Sequence, residues 1–134
     1  MPVTDITDGD NVWRRIPPAM VVRDPKVDGG LRPSKEALTD DADLDPMSTY
    51  CARIVGELKL DASSLLGTRS GNWAVFELAV GYLRNDEEQV VTHDPIEPPT
   101  EPYDPAHTIV IGEKPRARRE RMALRGRIVH RRSV

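Results

Sequence analysis

The sequence predicts an α+β fold, a small mixed sheet with about three helices packed on it, within one domain spanning residues 1–134. Three observations lead there. Apolar residues at Met47, Tyr50, Cys51, Ile54, Val55 and Leu58 recur at i, i+3, i+4, i+7, i+8 and i+11, the stripe of an amphipathic helix. Residues 12–16 have the length of a short strand stopped by proline, and residues 108–111 are a short apolar run followed by glycine. Apolar residues make up 38% of a 134-residue chain, which is enough for one modest core and too little for two.

Residues 1–11 are a polar lead-in without periodicity. Residues 12–16 form a strand stopped by Pro17 and Pro18, and residues 20–22 extend it after a bend. Asp28-Gly29-Gly30 is a turn signal, and Ser34 caps a single helical turn reaching Leu38. Asp45 as N-cap with Pro46 at the first helical position opens a helix through Leu58, because proline's missing N–H is no loss there. Asp61 starts a further short helix that Gly67 ends. Residues 73–83 have almost no polar face and predict a buried second helix, eleven residues being long for a strand. Residues 89–92 read as a strand, 94–106 as an extended, acidic, proline-rich loop, and 108–111 as a buried strand. A third helix runs from Pro115 to Gly126, with a last strand at Ile128 and Val129; this strand–helix–strand order allows a crossover.

Charge is distributed unevenly. Residues 113–134 carry nine basic against two acidic side chains, a net +7, while residues 1–112 carry −10. No run approaches the roughly 18 apolar residues a membrane span needs, so no membrane partner is expected. The N-terminus lacks the basic region of a secretory signal. The single cysteine, Cys51, permits no internal disulfide and lies on the apolar stripe, which points to a core residue and a reducing, cytoplasmic setting.

Familiar catalytic and metal motifs are missing. Asp41, Asp43 and Asp45 have the opening spacing of a calcium loop, but Pro46 and Ala52 stand where glycine and glutamate are needed. His93, His107 and His130 lack zinc-site spacing, and neither a metal nor a cofactor is expected. Residues 67–72 hold hydroxyls, glycines and Arg69 before an expected helix start, a composition suited to an anion. His107 begins a strand directly after the proline-rich loop, where a polar group is either rigidly held at a cleft or satisfied by a carbonyl. Glu77 either shares a thin exposed helix face or pairs with Arg53, Arg32 or Arg15. Arg116, Arg118, Arg119, Arg121 and Arg125 form a basic surface with three outlets: the chain's own acidic loops, an acidic patch on a protein partner, or a nucleic-acid backbone.

Four segments, Trp13-Arg14-Arg15-Ile16-Pro17-Pro18, Arg32-Pro33-Ser34, Asp45-Pro46-Met47-Ser48, and Pro105-Ala106-His107 followed by Val110-Ile111-Gly112, resemble a group of small bacterial proteins of unassigned function. The resemblance implies that Arg15, Arg32, Ser34, Ser48 and His107 are neighbours in space. A strand arginine, a serine-containing second segment and a third polar residue are also similar to the layout of small ADP-ribosyl-transferring folds, without the glutamate those carry late in the chain. Three functions follow as expectations. The first is an accessory protein that binds a larger protein through its acidic body and basic C-terminal segment. The alternative is a binder of a nucleotide-like anion, or a small transferase-like enzyme, using the Arg/Ser/His set. Nucleic-acid binding by the arginine-rich helix is the third.

Overall fold

The computed structural model describes residues 3–42 and 44–132; Asp43 of the acidic turn lies outside them. Among the described residues, eight strands and three α-helices form the α+β fold. The strands are β1 (Asn11–Ile16), β2 (Val21–Arg23), β3 (Leu31–Pro33), β4 (Met47–Cys51), β5 (Ala74–Ala79), β6 (Val90–His93), β7 (His107–Ile111) and β8 (Arg127–Arg131). The helices are α1 (Ala52–Glu57), α2 (Val80–Asp86) and α3 (Arg116–Arg125). Six strands make one sheet in the order β6-β7-β4-β1-β5-β8, and β2 and β3 make a separate hairpin.

Every neighbouring pair is antiparallel. The alternation along the sheet leaves β7 and β8 pointing the same way, with β4, β1 and β5 between them. The β7–α3–β8 segment is therefore a crossover, but it places no two parallel strands side by side.

Two expected helices prove to be strand followed by helix. The stretch expected to be helical from Asp45 to Leu58 is β4 and then α1, and residues 73–83 are β5 running directly into α2. Met47, Thr49, Tyr50 and Cys51 are all buried, as are Ala74, Val75, Phe76 and Leu78. A strand with partners on both sides and cover on both faces has no polar side, so its sequence resembles that of a buried helix. Pairing decided the outcome: β4 lies between β1 and β7, and β5 between β1 and β8. Ile54 and Val55 of α1, Val80 and Leu83 of α2, and Met122 and Ala123 of α3 complete the core, with Leu65 and Leu66 from the Asp61-capped turn.

The sheet is not evenly joined. β1 pairs with β5 along its whole length, from Asn11 opposite Ala79 to Ile16 opposite Ala74. With β4 it shares only Val12 opposite Cys51 and Trp13 opposite Tyr50. Beyond Trp13 the two strands part, β1 staying with β5 and β4 with β7. Arg14 bridges the opening: its Nη1 donates to the Ser48 carbonyl at 2.8 Å, supplying that acceptor with a donor the missing ladder would have given.

Register also explains Glu77. It lies opposite Trp13 on one side and Arg127 on the other, accepting from Trp13 Nε1 at 2.9 Å and Arg127 Nε at 3.2 Å. It is thus a paired carboxylate with a different arginine from the three the sequence offered.

Gly126, where α3 passes into β8, has no room for a side chain. A Cβ there would stand 2.1 Å from the Glu77 carbonyl oxygen and 2.5 Å from Phe76 Cζ. Gly126→Ala should therefore force backbone apart and cost about 1–3 kcal/mol, read as a lower thermal midpoint. An unchanged midpoint would mean that the α3–β8 junction yields freely.

Candidate functional site

The parting of β1 and β4 creates a cleft of about 470 Å³. Arg14, Arg15, Ser48 and Tyr50 line it from the two strands, Glu36, Asp40 and Asp41 from the segment between β3 and β4, and Arg69 and Trp73 from the segment before β5.

Arg14 is a structural clamp. Beyond Ser48 it donates to the carbonyls of Ala37 (3.0 Å) and Thr39 (3.2 Å) and to the Asp41 carboxylate (2.9 Å). Burial raises the pKa of Asp41, but hydrogen bonding from Ser48 and from the Arg14 guanidinium outweighs it and holds the group below the usual carboxylate range. The other two carboxylates of the cleft are matched as well. Asp40 receives the buried Lys114 ammonium at 2.6 Å, and Glu36 pairs with Lys35 at 2.9 Å.

Arg15 and Arg69 are different. Neither has a carboxylate partner among the described residues. Arg15 donates to the Leu65 carbonyl (3.2 Å) and the Tyr103 hydroxyl (3.0 Å), and its guanidinium lies 5.1 Å from the ring centre of Tyr50 and 5.6 Å from that of Tyr103. Arg69 donates to the Leu65 and Leu66 carbonyls and lies over Trp73, 5.4 Å from its ring centre. Aromatic faces hold both cations in place without neutralising them. With each acid of the cleft already paired, two positive charges remain uncompensated on its walls.

Deeper in, β4 and β7 bring Tyr50 opposite His107. His107 is held at both ring nitrogens: Nδ1 donates to the Asp94 carbonyl at 2.8 Å, with the Asp94 carboxylate at 3.3 Å, and Nε2 meets the Ser48 hydroxyl at 3.0 Å. Asp94 in turn donates its backbone N–H to the His107 carbonyl at 2.8 Å. These bonds close the two ends of the proline-rich loop. That loop is folded rather than extended, because the Asp104 carboxylate collects the N–H groups of Thr100 and Glu101 and the Thr100 hydroxyl.

Of the five candidate residues, Ser48 and His107 are hydrogen-bonded and Arg15 lines the same cleft as Ser48, while Arg32 and Ser34 lie elsewhere. Those two sit on the β2–β3 hairpin and the turn after it, at a second cleft closed by Glu120, Ala123 and Leu124 of α3. Arg32 is there paired with Asp24 at 2.9 Å. The hairpin is a sheet of its own, so an Arg-Pro-Ser motif close in sequence to Arg15 does not reach the β1–β4 opening. Residues 67–72 lead into a strand instead of a helix, which removes the helix N-terminus expected to hold an anion. Arg69 nonetheless reaches the cleft from that loop.

No family model, curated protein or solved structure matches this chain. Its functional reading rests on the geometry alone.

The basic segment faces its own body. Arg121 and Arg118 converge on Glu87, and Arg125 meets Asp86 at 3.7 Å and lies 5.0 Å from the Tyr82 ring centre. Arg116 pairs with Glu120 of the same helix, and Arg119 donates to the Lys114 carbonyl. Cys51 is wholly buried in the core, where burial pushes its thiol pKa up. His93 accepts the Thr4 N–H at Nδ1 and donates to the Pro105 carbonyl from Nε2, both at 2.7 Å. No described helix is long and apolar enough to cross a membrane.

Proposed function

We propose that the β1–β4 cleft binds a small anionic ligand of nucleotide type. Its phosphate groups would lie against Arg15 and Arg69, and its base or sugar against the half-buried Trp73. The observation that carries this reading is the charge balance of the cleft: Glu36, Asp40 and Asp41 each hold a cation, whereas Arg15 and Arg69 have no carboxylate partner among the described residues. Planar guanidinium groups fixed by neighbouring rings suit phosphate oxygens, which accept two parallel N–H bonds from one arginine. A volume of about 470 Å³ accommodates a nucleotide. Four of the five α3 arginines, all but Arg119, have carboxylate partners, which favours this cleft over the basic helix as the place where an external anion is met.

Thermal unfolding with AMP, ADP, ADP-ribose and NAD tests the reading. A ligand at a hundred times its Kd should add about 2.7 kcal/mol of stability. Titration calorimetry should give one site per chain, with inorganic pyrophosphate competing. If no member of the panel shifts the transition, the cleft does not bind nucleotides.

A further inference from the structure

We infer that Ser48 is a nucleophile activated by His107, and that the cleft acts on phosphate esters of the nucleotide-like ligand it holds. The substrate class rests on the anion reading above; the nucleophile rests on separate geometry.

That geometry begins with the imidazole. Nδ1 faces a backbone carbonyl, which can only accept, so Nδ1 carries the proton in neutral His107. Nε2 is then a lone pair, and the 3.0 Å bond to Ser48 must be donated by the serine hydroxyl. A hydroxyl donating to an imidazole that is itself oriented from behind is the arrangement that activates serine. The Asp94 carboxylate at 3.3 Å from Nδ1 stabilises the imidazolium formed once the proton has moved. His107 is 8% exposed, so the base is rigid and shielded, while Ser48 lines the cleft. Asp41 also faces the Ser48 hydroxyl, but that carboxylate already takes a charged bond from Arg14, whereas the hydroxyl is the only partner of Nε2 among the described residues.

The step balances without a co-reactant other than water. Ser48 Oγ bonds to phosphorus as the bond from phosphorus to the leaving oxygen breaks. The serine proton passes to His107 Nε2 and then to that oxygen, which departs as an alcohol. Water next attacks the phosphorylated serine, giving its proton to Nε2, and Oγ recovers that proton as it is released. Arg15 and Arg69 face the charge that grows on the phosphoryl oxygens.

Diisopropyl fluorophosphate is the direct probe, since it carries no negative charge and needs neither arginine. One phosphoryl adduct per chain should form with loss of fluoride and map to Ser48. Ser48→Ala should take up none, and His107→Ala should react at least a hundredfold more slowly, both variants retaining a cooperative thermal transition. Ser48→Ala, a small change at a half-buried position, keeps the test meaningful if His107→Ala fails to fold. The p-nitrophenyl ester of thymidine 5′-phosphate should release nitrophenol with the wild type and not with Ser48→Ala. Absence of an adduct, an adduct elsewhere, or labelling indifferent to His107 would overturn the inference. An inert Ser48 in a protein that still binds ADP would refute this step alone; labelling without nucleotide binding would refute only the ligand.

Discussion

Glu87→Ala is expected to cost about 1–3 kcal/mol, the usual consequence of leaving buried donors without the acceptor that satisfied them. Glu87 is 1% exposed. Its carboxylate accepts from the Tyr82 hydroxyl and from Arg121 at 2.8 and 3.1 Å, and Arg118 Nε lies 3.4 Å away. That Nε is buried and makes no hydrogen bond, so the nearby carboxylate is its only compensation. Truncation would leave Arg118 with only the more distant Glu88 carboxylate at 3.8 Å for an ion pair, deprive the Tyr82 hydroxyl of its acceptor and loosen α3 from α2. Urea denaturation measures the loss; a change below about 1 kcal/mol would show that the Glu87 carboxylate contributes little to holding α3.

The same carboxylate sets a pH dependence. Burial pushes its pKa up, but the Arg121 and Tyr82 hydrogen bonds and the Arg118 charge overcome that and leave it below the usual glutamate value. A folded-state pKa beneath the unfolded one, about 4.3, means the contribution is complete above that pH and disappears as pH falls through the folded value. The stability difference between wild type and Glu87→Gln should therefore be constant from neutral pH to about 5 and shrink on further acidification. A difference independent of pH down to 3 would remove the ion pair from the account.

The sequence made much of the sheet legible and hid the feature that matters for function. Residues 12–16 and 108–111 read as strands because proline or glycine marks their ends. β4 and β5 did not, because burial on both faces erases the alternation that identifies a strand. Tyr50 and Trp73 were consequently assigned to helices and missed as cleft residues. Arg15, Arg32, Ser34, Ser48 and His107 were singled out by four short segments that resemble a group of small bacterial proteins, and only His107 was marked as well by its place at the start of a strand. Short segments carry no information on pairing, and only the separation of the β2–β3 hairpin from the main sheet sets Arg32 and Ser34 apart. The cleft itself arises where β1 follows β5 and β4 follows β7, a choice between long-range partners that no local pattern encodes.

Arg15→Ala should weaken ADP binding by about 30- to 150-fold, equivalent to roughly 2–3 kcal/mol, the worth of a charge-assisted phosphate contact in a partly desolvated cleft. Arg15→Lys should recover only part of it, since an ammonium keeps the charge but not the planar pair of donors. Arg15 also holds the Leu65 carbonyl and the Tyr103 hydroxyl, so its loss could act through the fold. Arg69→Ala separates the two effects, because that side chain bonds only to nearby carbonyls and rests on Trp73. It should lower affinity while the thermal midpoint of the free protein stays within a few degrees. Arg32→Ala, on the separate hairpin, should leave ADP affinity unchanged. Calorimetric titration of the four variants decides the matter: equal affinities throughout, or a loss confined to Arg32→Ala, would place the ligand outside the β1–β4 cleft.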